Sequence, residues 1–249
     1  MGGNGVRKLT VEIDRRKWSG SPGATVLEAA AELGITIPTL CHHPGLGPYG
    51  ACRLCLVEVR AGPKTGLAAS CTLPVEEGMV VATDTEVVRR ARKFVLELLA
   101  ARPGCREVVA RLAAEWGMDF EGRFARNGTA SGPAGCVLCG RCVRACARVG
   151  AHAIAFAGRG VGRHVTPPFG RPPESCAGCG ACAFVCPTGA AALKLTAAGV
   201  ALPAWQAEVE WVRCAACGAP AGPPAALELP HGRGALCSRC RRRASIEGI

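Results

Sequence analysis

Aromatic residues make up only 4% of this 249-residue chain. That is too few for an obvious base-stacking surface, so single-stranded nucleic acid is a poor fit as a ligand. No apolar run approaches the length needed to cross a bilayer, so no transmembrane segment is expected. Residues 1–10 are polar and glycine-rich, without an apolar stretch leading to a small-residue cleavage site, so no export signal is expected there. A G-x-G-x-x-G after a strand, a P-loop and a nucleophile–base signature are all missing. The stretch Gly158-Arg159-Gly160-Val161-Gly162 has the wrong glycine spacing for a dinucleotide fingerprint. No catalytic residue is therefore assigned, and the chain is not expected to turn over a substrate by itself.

Cysteine, by contrast, is abundant: 17 residues fall in separate groups, each with its own spacing. So many thiols without an export signal point to the reducing cytoplasm, where cysteines bind metal or do redox chemistry more often than they form disulfides. Small modules bury little apolar area, so metal–thiolate bonds would contribute to their folding. The formal net charge of +11 counts every cysteine as neutral. Three four-thiolate clusters and one four-thiolate zinc, at about −2 each, would remove about eight units. Much of the basic excess is then counter-charge for metal sites rather than a nucleic-acid surface.

Leu9–Ile13 alternates as a strand, and Asp14–Lys17 reads as a turn into a second strand at Trp18. Thr25 and Glu28 form a capping box at the start of a helix over Val26–Leu33 that ends at Gly34. Cys41, Cys52, Cys55 and Cys71 follow as C-x10-C-x2-C-x15-C, with Leu54–Val59 as a strand leaving the group. Two thiolates from a tight C-x2-C loop and two from flanking segments can enclose a [2Fe–2S] rhombus. A zinc site is the alternative, although zinc usually takes two C-x2-C knuckles. Gly45, Gly47 and Gly50 would let the backbone wrap closely and turn amides toward sulfur. His42 and His43 beside Cys41 read as loop histidines rather than ligands.

The stretches TVLEAAAELGITIPTLCHHPGLGPYGACRLCLVEV and ASCTLPVEEGMVV resemble the β-grasp [2Fe–2S] domain that opens the large iron–sulfur subunit of respiratory complex I. The same domain opens several [FeFe]-hydrogenases and the small diaphorase subunit of NAD-linked hydrogenases. The resemblance implies that all four cysteines are cluster ligands.

A helix is expected over Glu86–Ala101, with apolar Val87, Val88, Ala91, Val95, Leu98 and Leu99, and another over Val108–Trp116. In the relatives this region carries a His-x3-Cys-x2-Cys-x5-Cys motif for a further [4Fe–4S] cluster. Here only Cys105 matches; the other positions are Ala101, Val108 and Ala114. That cluster is expected to be absent and Cys105 to be an ordinary buried thiol.

A Gly/Ala/Ser-rich linker, Gly122–Gly135, precedes Cys136, Cys139, Cys142 and Cys146, spaced C-x2-C-x2-C-x3-C. The same run recurs at Cys176, Cys179, Cys182 and Cys186, followed by Pro187. This doubled run is the ligand pattern of a two-[4Fe–4S] ferredoxin, in which the fourth cysteine of each run ligates the other cluster. Cys146 then belongs with Cys176, Cys179 and Cys182, and Cys186 with Cys136, Cys139 and Cys142. The fourth cysteine is expected at the start of a helix, with Gly140, Gly178 and Gly180 giving close backbone approach. The resemblance to complex I and hydrogenase subunits continues through CVLCGRCVRAC and CGACAFVCPTGA, and so covers about the first 200 residues.

Cys214-x2-Cys217 and Cys237-x2-Cys240, nineteen residues apart, have zinc-ribbon spacing. Gly218 is expected to be left-handed after the first knuckle. Rubredoxin-like iron fits the same thiolates, but the second knuckle continues into Arg241-Arg242-Arg243 instead of a glycine. The basic run Arg239–Arg243 reads as a solvated or docking surface for a partner subunit.

The expected class is α+β: a β-grasp [2Fe–2S] domain (1–82), a helical linker (83–130), a two-[4Fe–4S] ferredoxin-like domain (131–203) and a zinc ribbon (204–249). The resemblance implies a non-catalytic electron-transfer subunit in a cytoplasmic NAD(P)H-linked complex. Its partners would be a flavin/NAD(P)H-binding subunit and a hydrogenase, formate dehydrogenase or similar catalytic subunit. The alternative is a redox-sensing regulator or scaffold with a basic ribbon.

Overall fold

Asp14 and Arg15 both take left-handed backbone conformations (φ 47° and 64°) and close a two-residue hairpin between β1, Leu9–Ile13, and β2, Arg16–Gly20. The second strand therefore starts at Arg16, ahead of the expected Trp18, because the whole turn is made by two residues. The computed structural model describes residues 8–124, 132–222, 236–237 and 239–240, and the chain divides into two compact units, Met1–Thr129 and Ala130–Ile249. The linker expected over Gly122–Gly135 lies partly outside the described residues.

In the first unit, β1 and β2 are followed by α1 (Val26–Glu32), β3 (Leu56–Ala61), β4 (Gly66–Ala69) and β5 (Val80–Ala82). Among the described residues these strands form one mixed sheet of order β2-β1-β5-β3-β4, with β1 and β5 parallel and the other pairs antiparallel. Alternating side chains on one sheet face (Val11 and Ile13 on β1, Val57 and Val59 on β3, Val81 on β5) cluster with Val26, Ala29 and Ala30 of α1. The capping box forms as expected: Glu28 N–H donates to Thr25 Oγ1 (3.2 Å) and Thr25 N–H to Glu28 Oε2 (2.7 Å). Leu33 caps the other end, and Gly34 follows at φ 72°.

Helix α2 (Glu86–Ala100) and α3 (Arg106–Glu115) occupy nearly the expected spans. The buried stripe of α2 differs from the apolar set expected. It is Val88, Arg92, Leu96 and Ala100, with Glu97 beside it, whereas Val87 and Leu98 are exposed. Two charged residues are buried because the neighbouring backbone needs them. Arg92 Nη2 donates to the Leu56 carbonyl (2.7 Å). The Glu97 carboxylate accepts the amides of Glu121 (2.6 Å) and Arg123 (2.7 Å). Burial holds the Arg92 pKa below its ordinary value, partly offset by Asp84, Cys55 and Asp14.

In the second unit, α4 (Arg141–Arg148) and α5 (Ala181–Phe184) each start directly after a left-handed glycine, Gly140 (φ 75°) and Gly180 (φ 72°). Between them β6 (Ala155–Ala157) pairs with β7 (His164–Thr166), and Gly160–Gly162 is a 3-10 turn in the loop that joins them. Strands β8 (Lys194–Leu195), β9 (Gly199–Leu202) and β10 (Ala207–Glu210) form an antiparallel sheet. Strands β11 (Val212–Arg213) and β12 (Pro220–Gly222) make a short hairpin. The buried cluster of this unit mixes Cys142, Cys146 and Cys182 with Ile154, Val165, Leu202 and Trp205, so thiols are part of its core.

Glu97→Gln replaces one of two carboxylate acceptors with a donor facing an amide, at a cost of about 1–3 kcal/mol. Trypsin cleavage after Arg123 should then rise about 5- to 150-fold, because cleavage follows the opening equilibrium of the 119–124 segment. Unchanged cleavage would mean that Glu97 does not hold the segment.

Candidate metal centres

The first four thiols are brought together by the start of α1. Its leading amides, which have no partner within a helix, donate to the loop that carries Cys71: Val26 N–H to the Leu73 carbonyl (2.9 Å) and Leu27 N–H to that of Ser70 (3.1 Å). Fully buried Ser70 in turn grips the carbonyl of Cys55 with its hydroxyl (2.8 Å) and its amide (3.0 Å), so Cys55 and Cys71 are fixed side by side. Within the C-x2-C loop Arg53 is left-handed (φ 60°), and Cys52 N–H donates to Cys41 Sγ (3.4 Å). Gly50 (φ 70°) must be small: a Cβ there would lie 3.1 Å from Thr72 Cγ2.

These sulfurs share protons. Hydrogen bonds from the Cys52 and Cys71 thiols pull the Cys41 pKa down to about 2, and the Cys71 thiol pulls Cys55 down to about 6. The donors Cys52 and Cys71 are pushed up correspondingly, Cys52 by Cys41 and Cys71 by Cys41 and Cys55. His43 has a local role: its Nδ1 accepts the Gly45 amide (3.2 Å) and caps the 3-10 turn Pro44–Leu46.

The eight cysteines of the doubled run line two small cavities of about 20 Å³ each. Cys146, Cys176, Cys179 and Cys182 line the first; Cys136, Cys139, Cys142 and Cys186 line the second. Each run thus sends its fourth cysteine to the cavity of the other. The third cysteine, not the fourth as expected, starts each helix: Cys142 and Cys182 stand second in α4 and α5, Cys146 lies further along α4, and Cys186 follows α5. The reason is the left-handed glycine just ahead, which begins the helix before the third cysteine. Gly178 and Gly180 are crowded as expected, since a Cβ would lie 2.9 Å from Val209 Cβ and 2.6 Å from Leu193 Cδ1. In the first run Leu138 takes the left-handed conformation (φ 54°) that Gly178 takes in the second. Burial raises Cys139 to about 11 and also pushes up Cys142, Cys176 and Cys182. A buried thiolate is unfavourable without a cation, so the buried Cys142, Cys146 and Cys182 fit sites that supply positive charge.

The last group has another geometry. Sγ atoms of Cys214, Cys217, Cys237 and Cys240 all lie within 4.8 Å of one another, a set that could hold a metal ion. The Cys217–Cys237 separation is 3.7 Å, and a tetrahedral site with metal–sulfur bonds of 2.3 Å has an edge of about 3.8 Å. Among the described residues no other cysteine, histidine or carboxylate group gathers around one point in this way, which fits thiolates spread over several irons elsewhere. Gly218 is left-handed (φ 69°), as expected, and donates to the Cys214 carbonyl (2.9 Å). Backbone hydrogen bonds lower Cys214 to about 6 and also lower Cys237, while thiol neighbours raise Cys240 to about 12. Of the basic run Arg239–Arg243, Arg239 is exposed, and Arg241, Arg242 and Arg243 lie outside the described residues.

Residues 6–86 match the family of 2Fe-2S iron-sulfur cluster binding domains, and residues 135–190 the 4Fe-4S dicluster domain. In a solved NAD+-reducing [NiFe]-hydrogenase, a chain 34% identical to this one superposes with a TM-score of 0.55, over 64% of this chain and 75% of that one. This chain belongs to the iron–sulfur subunit family of NAD-linked hydrogenases and complex I. It is 37% identical over 177 residues to the mitochondrial NADH-ubiquinone oxidoreductase 78 kDa subunit of Candida albicans, covering 62% of this chain. To the NADPH-Fe(3+) oxidoreductase subunit alpha of Geobacter sulfurreducens it is 34% identical over 201 residues, 73% of the chain. The chain spans about a quarter of the length of these curated relatives, 24% in both cases.

Cys105 is fully buried at the start of α3, and Ala114, the third position of the further motif, is exposed on that helix. Cys105→Ala should leave the iron content of anaerobically purified protein unchanged. A loss of about four irons would mean that Cys105 serves a further cluster.

Proposed function

We propose that this chain is an electron-transfer subunit of a cytoplasmic NAD(P)H-linked oxidoreductase complex. Cys41, Cys52, Cys55 and Cys71 hold one [2Fe–2S] cluster, and the eight cysteines of the doubled run hold two [4Fe–4S] clusters, each completed by the fourth cysteine of the other run. Cys214, Cys217, Cys237 and Cys240 hold a structural zinc in a ribbon. The observation that carries this reading is the partition of the eight thiols into two cavities, four and four, with the fourth cysteines exchanged. Strand order β2-β1-β5-β3-β4 with α1 on one face supports the β-grasp reading of the first unit. The relatives, which are subunits of NADH- and NADPH-dependent oxidoreductases and a hydrogenase, support the redox partners. Those partners are a flavin- and NAD(P)H-binding subunit on one side and a catalytic subunit for hydrogen, formate or a similar couple on the other. Among the described residues no helix is long and apolar enough to cross a membrane.

When bound, the clusters supply one-electron carriers. The chain's own residues hold them by four thiolates each and bury them among apolar side chains. Amides donated to sulfur help set their potentials: Cys52 to Cys41 (3.4 Å), Ala153 to Cys146 (3.1 Å) and Ala191 to Cys186 (3.5 Å).

Reductive titration of the anaerobic holoprotein should consume about three electrons per chain, one for each cluster. Cys55→Ser should lose the [2Fe–2S] signal and take up about two. Uptake far below this in fully loaded wild type would overturn the relay. Separately, Cys217→Ser should lose the zinc and keep all the iron. Loss of iron instead would make the last site a mononuclear iron centre.

A further inference from the structure

Trp205 lies beyond both domain matches and outside the two cysteine runs, in the 3-10 turn Pro203–Trp205 between β9 and β10. It is nevertheless 2% exposed and lines both four-thiol cavities. Its Nε1–H donates to Cys182 Sγ at 3.4 Å. An indole has one N–H, so one cavity receives this donor and the other faces only ring carbon.

Val165 of β7 is buried and lines the cavity of Cys136, Cys139, Cys142 and Cys186 with an isopropyl group. Backbone donors reach both sites: Cys146 accepts an amide from Ala153 (3.1 Å) and Cys186 from Ala191 (3.5 Å), and the amides of Arg141, Val143 and Gly178 bond Cys139, Cys142 and Cys176. The indole N–H is a side-chain donor added to one of the two.

We propose that Trp205 raises the potential of one of the two [4Fe–4S] sites, the one formed by Cys146, Cys176, Cys179 and Cys182, through its N–H on Cys182. This rests on the assignment of the eight thiols as cluster ligands. Reduction adds a negative charge that is shared with the ligand sulfurs. A fixed N–H dipole aimed at one of them, in a buried and weakly screened site, favours the reduced state. Val165, which lines the other cavity, supplies no such dipole. Trp205 is therefore a positioning residue whose effect is read in a potential.

The test is an EPR-monitored redox titration of the full-length anaerobic holoprotein, wild type against W205F. A second variant carries 3-benzothienylalanine at position 205, which keeps the fused ring and replaces N–H by sulfur. If the smaller phenylalanine prevents cluster loading, the isostere decides alone. In the loaded variant one [4Fe–4S] midpoint should fall and the other stay where it is. A tenfold change in the reduction equilibrium corresponds to about 59 mV for one electron. An exchangeable proton coupled to that cluster in wild type should also vanish, read by ENDOR in light and heavy water. Unmoved midpoints, or equal shifts of both, overturn the proposal. Wild type that lacks two [4Fe–4S] signals overturns the ligand assignment instead.

Discussion

The crossing of Cys146 and Cys186, each into the cavity of the other run, is the constraint on which the second unit depends. Neither run closes a four-thiol site alone, so the halves cannot separate without opening both. The apolar residues Ala153, Ile154, Val165, Ala191, Leu202 and Trp205 cluster with the thiols rather than forming a core away from them. With the proposed clusters bound, metal–thiolate bonds would add stability that apolar burial in so small a unit supplies only in part. The first unit follows a different plan. Its sheet and α1 make a conventional apolar core, and the leading amides of α1, through the loop of Ser70, hold Cys71 against Cys55 at the edge of it.

Much of this was legible in the residues. Cysteine spacing separated the doubled run from the four-thiol groups on either side, and Thr25 with Glu28 announced α1 to within a residue. Gly218 was rightly expected to be left-handed. What spacing does not carry is partnership with the backbone. Arg92 and Glu97 look like the polar face of an amphipathic helix, and only the Leu56 carbonyl and the amides of Glu121 and Arg123 explain their burial. The third cysteine, rather than the fourth, opens each helix because the preceding glycine sets the start. Trp205 gave no motif at all. Its place beside both four-thiol cavities is visible only in the structure.

The chain spans 24% of the length of each of the Candida albicans and Geobacter sulfurreducens relatives, and residues 6–86 and 135–190, which match the two domain families, carry the first three cysteine groups. Between those two matches the positions of one further cluster hold Ala101, Val108 and Ala114, with Cys105 alone remaining. Helices α2 and α3 pack there, and their charged residues tie the segment down instead. The ribbon-like group, past the domain matches, brings four sulfurs to the spacing of a single tetrahedral ion.

Mössbauer spectroscopy of the 57Fe-enriched holoprotein tests the central claim most directly, because it resolves cluster type as well as amount. The account predicts two populations of iron, [2Fe–2S] and [4Fe–4S], with absorption areas of about one to four. A single population, a ratio far from this, or a separate component from mononuclear four-sulfur iron would contradict it.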